Sequence, residues 1–276
     1  MKKILKSLLG TRQYIALREA WLHYRFFRRQ MECLEPDVKA RYFDPRWSAG
    51  LERGRSLKDA HAGQRCFILG NGPSLSRMDL SLLRNEVTFG LNRIYLLFDR
   101  MGFETTYHVV INQLVIDQCA DELDALTMPR FVNWRARGRV PDRDNVIYLL
   151  DPLDYSLGFS RAPMGRIWEG STVTYVAMQL AYFMGFETVI LIGVDHNFAA
   201  QGKPDEMVVS SGDDQDHFDP GYFGKGFRWQ LPDLETSALS YRLAKLHFES
   251  QGRRILDATM GGKLDVFPKV DYASLF

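Results

Sequence analysis

The sequence predicts an α/β fold: a doubly wound, mostly parallel sheet with a lid region, preceded by a helical arm. Short, continuous apolar runs alternate with stretches of helical period. The clearest run, residues 187–193 (Glu-Thr-Val-Ile-Leu-Ile-Gly), suits a parallel strand covered on both faces. Another, 66–69, stops abruptly in Gly70-Asn71-Gly72-Pro73-Ser74, a tight turn of the kind that lets backbone N–H groups approach a phosphate or sugar.

In chain order, residues 1–60 read as a peripheral helical arm. Ile4, Leu8, Ile15, Leu22 and Phe26 recur at helical spacing with Leu17 and Trp21 beside them; Pro36, Asp44-Pro45 and Gly50 then break the pattern into a loop. Residues 61–276 form the core domain, its first strand at 66–69. A helix or turn follows at 78–83. Strands are expected at 87–92 and 107–112, each closing on an asparagine, with shorter ones at 128–133 and 145–149. A helix at 171–184 leads into the strand 187–193, and a helix at 235–251 into a last strand at 254–257. Residues 199–232 break the rhythm. Rich in Gly, Asp, Pro and aromatics, they read as a lid, with Phe218, Tyr222, Phe223, Phe227 and Trp229 suited to closing on something.

With 276 residues, 46 % hydrophobic and 13 % aromatic, the chain can bury a substantial core. A net charge of +1 carries no nucleic-acid signature. Cys33, Cys66 and Cys119 are too few and too scattered for a disulfide framework or a zinc site, so a reduced, cytoplasmic setting is expected. No apolar run is long enough to span a membrane, and the first residues do not read as a signal peptide. Charge is unevenly placed. Residues 1–31 hold eight Lys/Arg against Glu19, a local +7 that leaves −6 on the rest. Such a basic amphipathic helix suits an anionic membrane surface, or packs on its own domain with the basic face in water.

The candidate site residues sit where strands end. Asn71, Asn92 and Asn112 close successive strands, and in open α/β sheets ligands bind outside the carboxyl ends of the strands. Asparagine donates and accepts, which suits a nucleobase or ribose, although turns favour it in any case. Gly170-Ser171-Thr172 opens a helix and offers either an anion site or a plain N-cap, with Arg161 and Arg166 upstream to neutralise an anion. Asp195, His196 and Asn197 follow the clearest strand; Asp195 either acts on the ligand or satisfies turn N–H groups. His217, on the lid, is a candidate general base. Asp213, Asp214 and Asp216 either bind Mg²⁺ or are solvated. No Walker loop, G-x-G-x-x-G, G-x-S-x-G or Cys/His metal set is present, so no metal ligand is assigned.

Ile68-Leu69-Gly70-Asn71-Gly72-Pro73-Ser74-Leu75 resembles the first motif of bacterial sialyltransferases that use CMP-sialic acid. The strands ending in Asn92 and Asn112, the Ser171 helix and Gly193-Val194-Asp195 follow in that family's order. The chain is also similar to the broader 6-hydroxymethylpterin diphosphokinase MptE-like group, which includes the central domain of flagellin-modifying glycosyltransferases. The resemblance covers about residues 64–260. It implies a single Rossmann-like nucleotide-binding domain with a small lid and no obligatory metal or cofactor. It places Gly70, Asn71, Gly72, Pro73 and Ser74 at the nucleotide phosphate and reacting sugar, and Asn92 and Asn112 on the nucleotide and donor. Gly170, Ser171 and Thr172 would cradle the phosphate or sugar carboxylate, and His217 would be the base. The family carries two tyrosines just after its Gly-x-Asp turn that assist phosphate departure. Here His196-Asn197-Phe198 stand in that place, and by the resemblance His196 or Asn197 would be the candidate substitute.

These readings converge on a glycosyltransferase that moves a sialic acid or related nonulosonate from a CMP-activated donor to a surface glycan or protein. The catalytic group is His217, with Asp195 and His196. The arm would hold the enzyme on the inner membrane from the cytoplasmic side. Two alternatives stand beside it: an MptE-like diphosphokinase using ATP and Mg²⁺, which the acidic run 213–216 favours, and a nucleotide-binding protein without turnover, which the missing tyrosines favour. The expected partners are a nucleotide-sugar and its acceptor rather than nucleic acid, and homo-oligomerisation is left open.

Overall fold

The computed structural model describes residues 12–25, 28, 39–150, 157–200 and 202–276. Contacts divide the chain into two units, Met1–Pro45 and Arg46–Phe276. In the first, residues 12–25 are helical. Lys2, Lys3, Ile4, Lys6, Leu8, Phe26, Arg29, Cys33 and Pro36 lie outside the described residues.

The break expected at Asp44-Pro45 and Gly50 is instead a helix, α1 (Pro45–Arg55). Proline's fixed φ and missing N–H suit a first helical position. The glycines serve approach rather than interruption: a Cβ on Gly54 would lie 2.1 Å from Met164 Sδ, and one on Gly50 3.3 Å from the Tyr148 backbone nitrogen. The second unit therefore starts some fifteen residues earlier than the pattern suggested.

Seven apolar runs form one sheet: β1 (Arg65–Leu69), β2 (Thr88–Leu91), β3 (Tyr107–Val110), β4 (Arg130–Asn133), β5 (Val146–Leu149), β6 (Thr188–Ile192) and a last strand, β9 (Arg254–Asp257). Their order is β5-β4-β3-β2-β1-β6-β9, and every pairing is parallel. Strands covered on both faces have no polar side, and here β1 to β6 are buried along almost their whole length. On one face, Ile68, Phe89, Val109 and Leu191 join a core with the helix Val173–Phe183, which is buried from Thr174 to its end. The helix Leu234–Glu249 packs beside it and reaches β9. On the other face Phe67 stacks on Phe276, and Trp134 meets Trp47 and Tyr148 edge to face.

The chain runs outward from β1 to β5, then returns to lay β6 against the other side of β1. Loops leaving β1 and β6 thus diverge to opposite sides, opening a crevice at their carboxyl ends. Residues 199–232 are less irregular than expected. They contain an antiparallel hairpin, β7 (Met207–Val209) with β8 (Arg228–Gln230), and a small aromatic core in which Phe218, Tyr222 and Phe223 are buried.

Candidate active site

The crevice between β1 and β6 holds a cavity of about 160 Å³. It is lined by Gly70, Asn71, Gly72, Asn92, Ser171, Thr172, Asp195, His196, Asn197 and His217, so residues up to 147 positions apart meet there. A second lobe of about 260 Å³ shares Asn92, Ser171, Thr172 and His217 with the first and adds Asn112, Glu169 and Trp229.

The Gly-Asn-Gly turn is built differently from the expected phosphate cradle. The Gly70 and Gly72 N–H groups donate to the Ile192 and Gly193 carbonyls, both at 2.8 Å. A Cβ on Gly70 would lie 2.2 Å from the Gly193 oxygen, and one on Gly72 1.9 Å from Asp195 Oδ2. The glycines therefore let two strand ends touch, and their N–H groups are engaged by protein rather than offered to a ligand. Asp195 completes this joint. Its carboxylate accepts from the Ser74 N–H (3.2 Å) and the Ser74 hydroxyl (2.6 Å). Burial raises its pKa, against the opposing effect of the Ser74 bonds and the Arg77 charge. Ser74 is buried behind the turn, and Pro73 is exposed at the start of a 3-10 helix; neither lines the cleft.

Two groups on the cleft wall lack partners. The side-chain oxygens of Asn71 and Asn92 are buried without a hydrogen bond among the described residues. An unpaired buried acceptor costs about 1–3 kcal/mol, a cost that a ligand's N–H or O–H could offset. Asn92 also has φ +48°, as Ser171 has +59° and His196 +51°. Left-handed backbone at non-glycine residues costs on the order of 1 kcal/mol or more each and concentrates at functional sites. Three of the five such residues described line this one cavity.

The helix Val173–Phe183 aims its N-terminus at the cleft, where N–H groups and the helix dipole favour an anion. Thr172 caps it by accepting from the Thr174 N–H at 3.3 Å, and its hydroxyl meets the Tyr241 hydroxyl at 3.3 Å. Among the described residues neither lobe is lined by Lys or Arg, so an anion here would be met by N–H groups, hydroxyls and the dipole. Arg161 and Arg166, expected to neutralise it, are elsewhere: Arg161 meets His247 and Arg166 lies over the Trp168 ring. Gly170, with φ +55°, packs under Ser240 and Tyr175 rather than lining the cleft. Asn112 caps a helix, its Oδ1 accepting from Leu114 N–H (2.9 Å) and Val115 N–H (3.3 Å), and reaches only the second lobe. His196 lines the cavity, where burial lowers its pKa against the opposing charge of Asp265. Asn197 is exposed at the rim and accepts from Lys263 Nζ at 2.8 Å.

The 199–232 segment is latched over this floor. The Phe218 N–H donates to the Asn71 carbonyl at 3.0 Å, and the Ser76 hydroxyl to the Phe218 carbonyl at 2.9 Å. Arg93 donates to the carbonyls of Gly221 and Tyr222. His217 is held between these latches. It stacks on Tyr222 at 4.1 Å, and its Nδ1 pairs with Asp214 Oδ2 at 2.8 Å. Asp214 also accepts from the N–H groups of Phe223 (3.0 Å) and Asp216 (2.8 Å). Burial alone would raise the Asp214 pKa, but the His217 bond and charge and the two N–H groups outweigh it and hold the carboxyl below its ordinary range. With Nδ1–H given to a carboxylate, Nε2 is the nitrogen left to take a proton. The acidic run thus serves histidine and turn: Asp214 orients His217, and Asp216 Oδ1 accepts from the Ala199 N–H. Among the described residues no three His, Cys, Asp or Glu gather as a metal site.

Some roles and residues escape the sequence reading. Asp214, read there as a possible Mg²⁺ ligand or a solvated acid, pairs with His217 three residues on, a spacing that could have signalled the pair. Tyr241 enters from a distant helix with no local signal. Asn133 closes β4 as the other asparagines close their strands. It donates to the Ile111 carbonyl (3.1 Å) and to Glu169 Oε1 (3.2 Å), fixing that acid at the second lobe.

No protein-family model matches the chain, and no curated protein matches it. Among solved structures, the MAf glycosyltransferase from Magnetospirillum magneticum AMB-1 superposes with a TM-score of 0.50 at 15 % sequence identity, over 83 % of this chain and 39 % of that one. The chain thus spans about two fifths of that protein's length. The likeness is one of fold: this chain has a Rossmann-like α/β fold, shared with that structure.

Proposed function

We propose that the chain transfers a sugar from a nucleotide-activated donor, a CMP-linked sialic acid or related nonulosonate, to a hydroxyl of a surface glycan or protein. One observation carries the reading: His217, held from behind by Asp214, lines the same switch-point cleft as two buried asparagine oxygens without a partner among the described residues. The Asn71 and Asn92 oxygens would accept from base N–H or sugar O–H groups. The N-terminus of the helix starting at Val173 would hold the donor's phosphate or carboxylate. His217 Nε2 would take the proton of the acceptor hydroxyl as its oxygen bonds to the anomeric carbon. The bond from that carbon to the phosphate oxygen breaks, and the nucleotide leaves with the electron pair. Asp214 would stabilise the imidazolium so formed. The fold shared with a protein named as a glycosyltransferase supports the same reading.

Calorimetry with CMP and with ATP, each with and without Mg²⁺, tests it. CMP binding that needs no metal is expected; ATP binding only with Mg²⁺, and none of CMP, would replace the transferase by the diphosphokinase. His217→Ala is expected to lower turnover by about 10²–10⁴-fold while leaving CMP affinity within about twofold. Undiminished turnover would remove His217 from the role of base.

A further inference from the structure

We propose that the N-terminal arm is a docking surface for an anionic lipid bilayer, lying in the headgroup plane rather than crossing it. In the helix formed by residues 12–25, Ile15, Leu17, Trp21, Leu22 and Tyr24 are each 45–59 % exposed. At 100° per residue, Tyr14, Ile15, Leu17, Trp21, Leu22 and Tyr24 fall on one half of the helix surface, and Glu19, Ala16 and His23 on the other. Apolar side chains left in water on both sides of a central basic stripe, Arg18 and Arg25, point to a partner. Two features identify it as lipid. Arg18 and Arg25 lie inside the apolar half, and Arg25 sits 4.7 Å over the Trp21 ring. Long basic side chains whose stems follow apolar surface while their heads reach headgroups suit an interface, as Trp and Tyr do. The segment is also strongly charged: residues 1–31 carry +7 in a chain whose remainder is −6. That asymmetry attracts the arm, rather than the core, to a negative surface. No helix among the described residues is long and apolar enough to cross a membrane. This inference is independent of the chemistry in the cleft.

Co-sedimentation of the full chain with vesicles tests it. Vesicles of phosphatidylcholine with phosphatidylglycerol are expected to bind at least about tenfold more tightly than phosphatidylcholine alone, and binding should weaken as salt rises from about 0.1 to about 0.5 M. Arg18→Gln and Arg25→Gln should each weaken it about fivefold. Trp21→Ser with Leu22→Ser should weaken it at least about tenfold, with far-UV circular dichroism and the melting midpoint unchanged. Absence of binding, equal binding to neutral vesicles, or binding undiminished in these variants would overturn the proposal.

Discussion

Asn92 combines a left-handed backbone with a buried side-chain oxygen that has no partner among the described residues. Its left-handed backbone is held by His108, whose Nε2 donates to the Asn92 carbonyl at 2.6 Å. His108 is fully buried, and its Nδ1 has no hydrogen-bond partner among the described residues. Burial, helped by the charge of Arg130 across the β3–β4 register and opposed by the Asn92 bond, pushes its pKa down to about 4 from an ordinary 6.5. A neutral imidazole with Nε2–H is therefore built into the fold. The consequence for stability has a definite sign. Between pH 6.5 and about 4 the unfolded chain binds a proton that the folded chain does not. Stability should be full above that window and fall as pH drops through it, by up to about 3 kcal/mol. His108→Gln can still donate to the carbonyl but cannot titrate. Chemical denaturation as a function of pH should show the slope in this window reduced in the variant; an unchanged slope would show that His108 does not cause it. At the same scale, Asn92→Ala and Asn71→Ala should each weaken nucleotide binding about tenfold, the worth of one hydrogen bond to a buried acceptor, read by calorimetry.

At the scale of elements, the lid matters most. Its hairpin and aromatic cluster make a unit small enough to open by itself, and a few contacts hold it down. Arg93 follows Asn92 directly and closes one edge, its guanidinium donating to Gly221 and Tyr222 and lying 5.5 Å from the Phe227 ring. On the other side the Gln118 side-chain amide donates to the Arg228 carbonyl at 2.8 Å and accepts from the Arg228 N–H at 2.9 Å. Removing one latch should loosen the lid without unfolding the sheet, because the sheet's core lies elsewhere. Arg93→Ala should speed amide hydrogen exchange across residues 214–227 by at least about tenfold, with exchange in β1 and β6 unchanged. Equal acceleration in both would mean that the latch belongs to the global fold. The asparagines were legible at this scale because each ends an apolar run. Their division of labour was not: Asn71 and Asn92 keep free oxygens, Asn112 caps a helix and Asn133 carries Glu169.

For the whole molecule, the decisive feature is the return of the chain from β5 to β6 beside β1. It brings Gly70–Gly72 against Gly193–Asp195 and faces both with the Val173 helix and the lid. A ligand seated there contacts segments from 70 to 241 in sequence and so stabilises the native state as a whole. CMP at about a hundredfold excess over its dissociation constant should add about 2.7 kcal/mol, a rise in melting midpoint of about 5–10 °C for a chain of this size. Scanning calorimetry reads this directly, and no shift at saturation would mean that CMP does not bind the folded chain.

Local chemistry alone determined the strands and helices of the core and the polar turns at their ends. Apolar runs, helical periods and turn residues act over a few positions, and those signals lie in the chain itself. The tertiary structure decided what the groups at those turns do. Only the packed sheet shows that Gly70 and Gly72 serve the β1–β6 joint, that Asp195 binds Ser74, that Asp214 orients His217 and that Tyr241 reaches the cleft. The physical reason is that a donor or acceptor takes its role from whichever partner lies within about 3 Å, and for most of these groups that partner is far away in sequence.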